Sequence, residues 1–140
     1  MFFAADSQVA GCIILAGPSI PLDQLIIEQL KIQADHPVLS SQEQEVARQM
    51  LPPVRHYLEQ LEQGVEPDSL LFTVKWIKEH QEQDPLNTIS SLEIPLLIIQ
   101  GLKDLLVKPY HADRLAKEAE KAGNKDVQVY HLDNITYLFT

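Results

Sequence analysis

Cysteine is nearly absent: the single Cys12 in 140 residues excludes an intramolecular disulfide and any multi-cysteine metal site. That usage fits a reducing compartment, so the cytoplasm is the expected location. Cationic charge is also scarce, with 11 Lys and Arg against 20 Asp and Glu and a formal net charge of −9. Such a balance repels nucleic-acid phosphates and anionic lipid, so neither is an expected partner. No apolar run reaches the ~20 residues that a membrane span requires. Gly17, Gly64, Gly101 and Gly123 stand alone, so no glycine-rich phosphate cradle is present. The histidines (His36, His56, His80, His111 and His131) show neither H-x-x-x-H nor H-E-x-x-H spacing, and His111 with Asp113 is read as the solvated first turn of a helix. No metal and no cofactor are expected. Val9-Ala10-Gly11-Cys12 has the look of a lipobox, but Asp6, Ser7 and Gln8 interrupt the apolar start and no basic residue precedes it. The segment is expected to be a strand instead.

What is there alternates between strand and helix patterns. Val9 to Ala16 (VAGCIILA) is continuously apolar, β-branched and closed by Gly17-Pro18, as expected of a strand buried on both faces. Leu22, Leu25, Ile26 and Leu30 then follow at helical spacing. Residues 36–64 predict two short amphipathic helices separated at Pro52-Pro53. A third helix is expected over Ser69 to His80, started by Pro67-Asp68, with Trp76 and Ile77 on its apolar face as core residues. Asp84-Pro85 and Ser90-Ser91 read as connecting turns. Pro95 to Gln100 predicts a second buried strand, Tyr110 to Ala122 a helix with Gly123 at C′, and Val127 to Leu132 a third strand. The order implies an α/β fold with about three mainly parallel strands joined by right-handed crossovers.

The segments IPLLIIQGLKDLLV (Ile94 to Val107), HADRLAKEAEKAG and VQVYHLDNITYLF resemble, in that order, the last third of α/β-hydrolases, above all serine esterases and the dienelactone-hydrolase-like branch. VAGCIILAGPSIPLDQLIIEQL resembles the strand and segment that follow the nucleophile-bearing helix, and residues about 36–80 resemble the helical cap inserted there. The resemblance implies a single partial α/β-hydrolase domain over residues 1–140. It also implies that Asp104, in the pattern P-x-L-x-x-x-G-x-x-D-x-x-V, stands at the position of the triad acid, and that Tyr137 stands where the family carries its histidine. A carboxylate at the carboxyl end of a buried parallel strand lies where open α/β sheets place their sites. A phenol with an ordinary pKa near 10 does not replace imidazole as a general base near neutral pH.

The nucleophile elbow G-x-S-x-G is missing from these 140 residues. Ser19, after Gly17-Pro18, comes nearest but lacks the glycine frame and is read as a turn residue. Cys12 reads as mid-strand packing, and His131 as a packed or surface side chain. Two functional expectations follow. One is the C-terminal part of a carboxylic-ester hydrolase, inactive alone, whose complete parent would take an acyl ester. The other is a non-catalytic interaction module that pairs through an exposed sheet edge or its cap, as a homo-oligomer or with a complementing chain.

Overall fold

A computed structural model describes residues 9–65 and 74–136. The chain forms two compact units, one comprising residues 1–20 and 84–140 and the other residues 21–83.

The first unit holds the sheet: β1 (Cys12–Leu15), β2 (Leu96–Gly101) and β3 (Val127–Leu132), all parallel in the order β1-β2-β3. Cys12 pairs with Leu96, and Leu96 in turn with Val127. The parallel arrangement agrees with the sequence, and β3 has the expected bounds. β1 differs. It is four residues long rather than eight, and it is buried on one face only: Ile14 is buried, whereas Ile13 and Leu15 are 64% and 56% exposed. An unbroken apolar run does not distinguish a strand covered on both faces from one left half open.

The covered face rests on α4 (Pro85–Ser90) and α5 (Tyr110–Lys121). Ile14, Ile98, Ile89 and Leu92 join Ala112, Leu115, Ala116 and Ala119 in one core. The α5 residues recur at i, i+3, i+4 and i+7, the stripe that a helix buries on a sheet. Its end is a Schellman motif: Asn124 N–H donates to Ala119 O and Gly123 N–H to Glu120 O, with Gly123 at φ 105°. The turn expected at Asp84-Pro85 is instead the start of α4. Asp84 is its N-cap, accepting from the amides of Leu86 and Asn87 at 2.9 and 3.4 Å, and Pro85 takes N1, where its missing N–H costs nothing.

The second unit contains α1 (Leu22–Asp35), α2 (Ser41–Glu62) and α3 (Val74–Gln81). α2 is a single helix and not the two short ones expected, with Pro52 and Pro53 inside it. An interior proline costs about 3 kcal/mol in an isolated helix. Here the apolar stripe Ala47, Met50, Val54, Tyr57, Leu58 and Leu61 runs through the break without changing phase, and its lower part packs with Ile77 and with Ile26, Ile27 and Leu30 of α1. Fully burying side chains of this size stabilises by about 1.5–3 kcal/mol each, enough to outweigh the prolines. A capping box fixes the start: Ser40 Oγ accepts from Glu43 N–H at 3.3 Å, and Glu43 Oε2 accepts from Ser40 N–H at 2.8 Å. The Ser40 hydroxyl and amide together hold the exposed Glu43 carboxyl below its ordinary value.

The expected start of the third helix at Pro67-Asp68 lies outside the described residues, as does the side chain of Trp76; Ile77 is fully buried. No helix among the described residues is long and apolar enough to cross a membrane.

Candidate functional site

A buried polar side chain must find partners, so its position marks where the chain does something other than pack. Among the described residues four polar side chains are buried: Ser19, Gln100, Asp104 and His111. All four lie past the middle of the sheet toward its carboxyl end. Ser19 follows β1, Gln100 is in the last turn of pleat of β2, Asp104 is on the loop after it, and His111 opens α5. That end of a parallel sheet is where ligand sites form in open α/β folds.

Asp104 is 2% exposed. Its Oδ1 accepts from the amides of Leu106 and Val107 at 2.8 and 2.9 Å, closing a turn around the carboxylate. Its Oδ2 accepts from Gln100 Nε2 at 3.2 Å. Gln100 Nε2 also donates to Gly101 O at 3.2 Å and Val107 O at 2.9 Å, while the Gln100 carbonyl oxygen is buried without a hydrogen-bond partner.

Backbone hydrogen bonds join this loop to the end of β3 and the segment after it. Leu102 N–H donates to Leu132 O and Lys103 N–H to Ile135 O, both at 3.0 Å. Gly101 makes the approach possible, since a Cβ there would stand 2.3 Å from Ile135 O. Asn134 turns the chain at φ 61°, a left-handed conformation that asparagine tolerates. The acid-bearing loop and the residues leading to position 137 are thereby neighbours. Tyr137 itself lies outside the described residues.

Ser19 and His111 correct two sequence expectations. Ser19 is more than a turn residue and His111 is not solvated: they are 1% and 0% exposed. Ser19 N–H donates to His111 Nδ1 at 3.1 Å, and the Ser19 hydroxyl lies 2.8 Å from the same nitrogen. A ring nitrogen accepting from a backbone N–H carries no proton, so the imidazole is neutral, Nε2 holds its hydrogen, and the hydroxyl donates. The spacing is that of a serine and its general base, but burial denies Ser19 a substrate; the pair ties the loop after β1 to the start of α5. No residue spacing signalled it, because the partners are 92 positions apart.

His131 is a surface side chain, as expected, with Nε2 2.9 Å from Asp113 Oδ1 on α5. Cys12 is half-buried against the core and unpaired. Among the described residues no three His, Cys, Asp or Glu side chains gather as metal ligands.

This arrangement, a parallel sheet with a buried acid at its carboxyl end and the following loop drawn against it, is part of an α/β-hydrolase fold. No protein-family model matches the chain. Esterase EstD of Thermotoga maritima is 25% identical over 138 residues, which are 96% of this chain and 31% of EstD. Among solved structures, BpoC of Mycobacterium tuberculosis aligns with a TM-score of 0.51 at 13% identity, over 98% of this chain and 54% of that one. Esterase E22 aligns over 94% of this chain and 50% of its own length, at a TM-score of 0.48 and 13% identity. The chain thus spans under a third of the curated relative and about half of the solved structures.

Proposed function

We propose that this chain is the acid-bearing part of a carboxylic-ester hydrolase and that Asp104 is its triad acid. The observation carrying the reading is Asp104 itself, a carboxylate buried at the carboxyl end of the central strand, its turn held by two amides and its loop joined to the segment after β3. The match to an esterase over nearly the whole chain supports it. In such a reaction a serine attacks the acyl carbon, an imidazole takes the serine proton and returns it to the leaving alcohol, and the carboxylate orients the imidazole and stabilises its charged form. The sequence of this chain has no G-x-S-x-G and carries Tyr137 at the family's histidine position, so alone it does not turn over esters by this route.

The test is hydrolysis of p-nitrophenyl butyrate by the purified chain and by Asp104→Asn. Equal, background rates are expected. Turnover that Asp104→Asn abolishes would refute the claim of inactivity and require an unrecognised nucleophile in these residues.

A second reading, self-association, is favoured by the open sheet face, where Ile13, Leu15 and Tyr130 are 64%, 56% and 55% exposed. Apolar side chains grouped on a strand face are uncommon on monomers. Light scattering of the purified chain decides it: a concentration-independent monomer removes this reading.

A further inference from the structure

The Asp104 turn contains an apparent waste. Gln100 is fully buried with its carbonyl oxygen unpartnered, although the neighbouring core is apolar and a residue of similar size without polar atoms would leave no orphan there. Whatever keeps an amide at this position must act through its N–H groups. Their surroundings are all acceptors: Gly101 O, Asp104 Oδ2 and Val107 O at 3.2, 3.2 and 2.9 Å, which also settles which end of the amide is nitrogen. Gln100 therefore grips the end of β2, the carboxylate, and the close of the turn in one contact.

An ionised carboxylate offers about four lone-pair directions, two on each oxygen. The amides of Leu106 and Val107 fill those of Oδ1, and Gln100 takes one of Oδ2. One direction remains, and it belongs to Oδ2. We infer that Gln100 is a positioning residue for Asp104, leaving the carboxylate a single acceptor site on Oδ2 and so fixing the direction from which it can accept a further hydrogen bond and orient the group that donates it. The inference rests on Asp104 being the triad acid. Without Gln100 both lone pairs of Oδ2 would be open, the side chain could pivot about the Oδ1 contacts, and the anion would lose a donor. A triad acid needs the opposite, since its work is to hold another group's orientation.

Carboxyl-labelled aspartate in the full chain gives an Asp104 13Cγ resonance, identified by its loss in Asp104→Asn, whose pH profile is read in the wild type and in Gln100→Met. Methionine keeps the length of the side chain and removes both donors. The profile is expected to move up by about one pH unit, because the charged form loses a hydrogen bond. A side chain that only filled space would leave it in place, so an unmoved profile in a folded Gln100→Met protein overturns the inference. Gln100→Leu removes the same donors with a shorter apolar side chain and adds no charge; if Gln100→Met does not fold, the Leu variant must show the upward displacement, and its absence overturns the inference equally. No turnover enters this measurement. Failure here leaves the hydrolase reading to its own assay, and an esterase-active wild-type chain leaves this result standing.

Discussion

Replacing Gly101 with alanine tests how the acid loop is joined to the segment after β3. For an ordinary strand residue the exchange is favourable by about 0.5–1 kcal/mol, because alanine loses less backbone freedom on folding. At Gly101 the new Cβ would stand 2.3 Å from Ile135 O, 2.9 Å from Ile135 C and 3.1 Å from Thr136 O. All three atoms are backbone, so relief requires the whole turn to retreat rather than one side chain to rotate. Retreat pulls at two hydrogen bonds, Leu102 N to Leu132 O and Lys103 N to Ile135 O. At about 0.5–1.5 kcal/mol each their loss is worth about 1–3 kcal/mol, and the donors, if left buried, add to it. The clash outweighs the entropic gain, and Gly101→Ala should lose about 1–2 kcal/mol. Urea unfolding followed by tyrosine fluorescence measures the change, and amide hydrogen exchange locates it: Leu102 and Lys103 should lose protection while Ile98, in the middle of β2, keeps its own. A variant as stable as the wild type, with both amides still protected, would refute the close approach described here.

Asp104→Ala should destabilise the first unit by about 2–4 kcal/mol in thermal unfolding, since two amides lose their acceptor, whereas Asp104→Asn, which keeps an oxygen at Oδ1, should cost under half as much. Ser19→Ala, which removes the hydroxyl but leaves the amide on His111, should cost about 1 kcal/mol by the same measure, and His111→Phe more, because Ser19 N–H is then buried without an acceptor. Ser40→Ala removes the α2 N-cap and should cost about 1 kcal/mol at neutral pH. Glu43 is held below its ordinary value in the folded chain, so its contribution is present above the unfolded value of 4.5 and is lost as pH falls through the folded one. The gap between wild type and Ser40→Ala should therefore narrow in melts below pH 4.5; a gap that widens with acid would contradict the capping box.

Much of the sheet could be read in the chain. Val127 to Leu132 alternates, Leu96 to Gln100 does not, and Gly123 ends α5 where a left-handed residue is needed. The failures have a common cause in contacts between distant residues. Pro52-Pro53 is a local stop signal, but the stripe from Ala47 to Leu61 packs across it, and tertiary burial overrides local preference. Asp104 stands out in the sequence through a short pattern beside it, and the fold buries it in a hydrogen-bonded turn. The Ser19–His111 contact does not stand out, because a serine after a proline and a histidine in a first turn look like surface residues until the fold brings them together.

The direction in which the sheet is wound has a consequence for what can cover it. From β1 to β2 to β3 the chain steps always the same way across the sheet, and right-handed connections that keep stepping one way come back over one side. α4 and α5 accordingly share the side of Ile14 and Ile98. Lengthening α4 or α5 would thicken that layer without reaching Ile13, Leu15 or Tyr130. A right-handed crossover between parallel strands reaches them when it winds in the reverse sense, starting alongside β1 and progressing away from β2. Topology thus keeps α4 and α5 from sealing both faces of their own sheet, and a graft of further parallel strands designed to cover the other face belongs beyond β1.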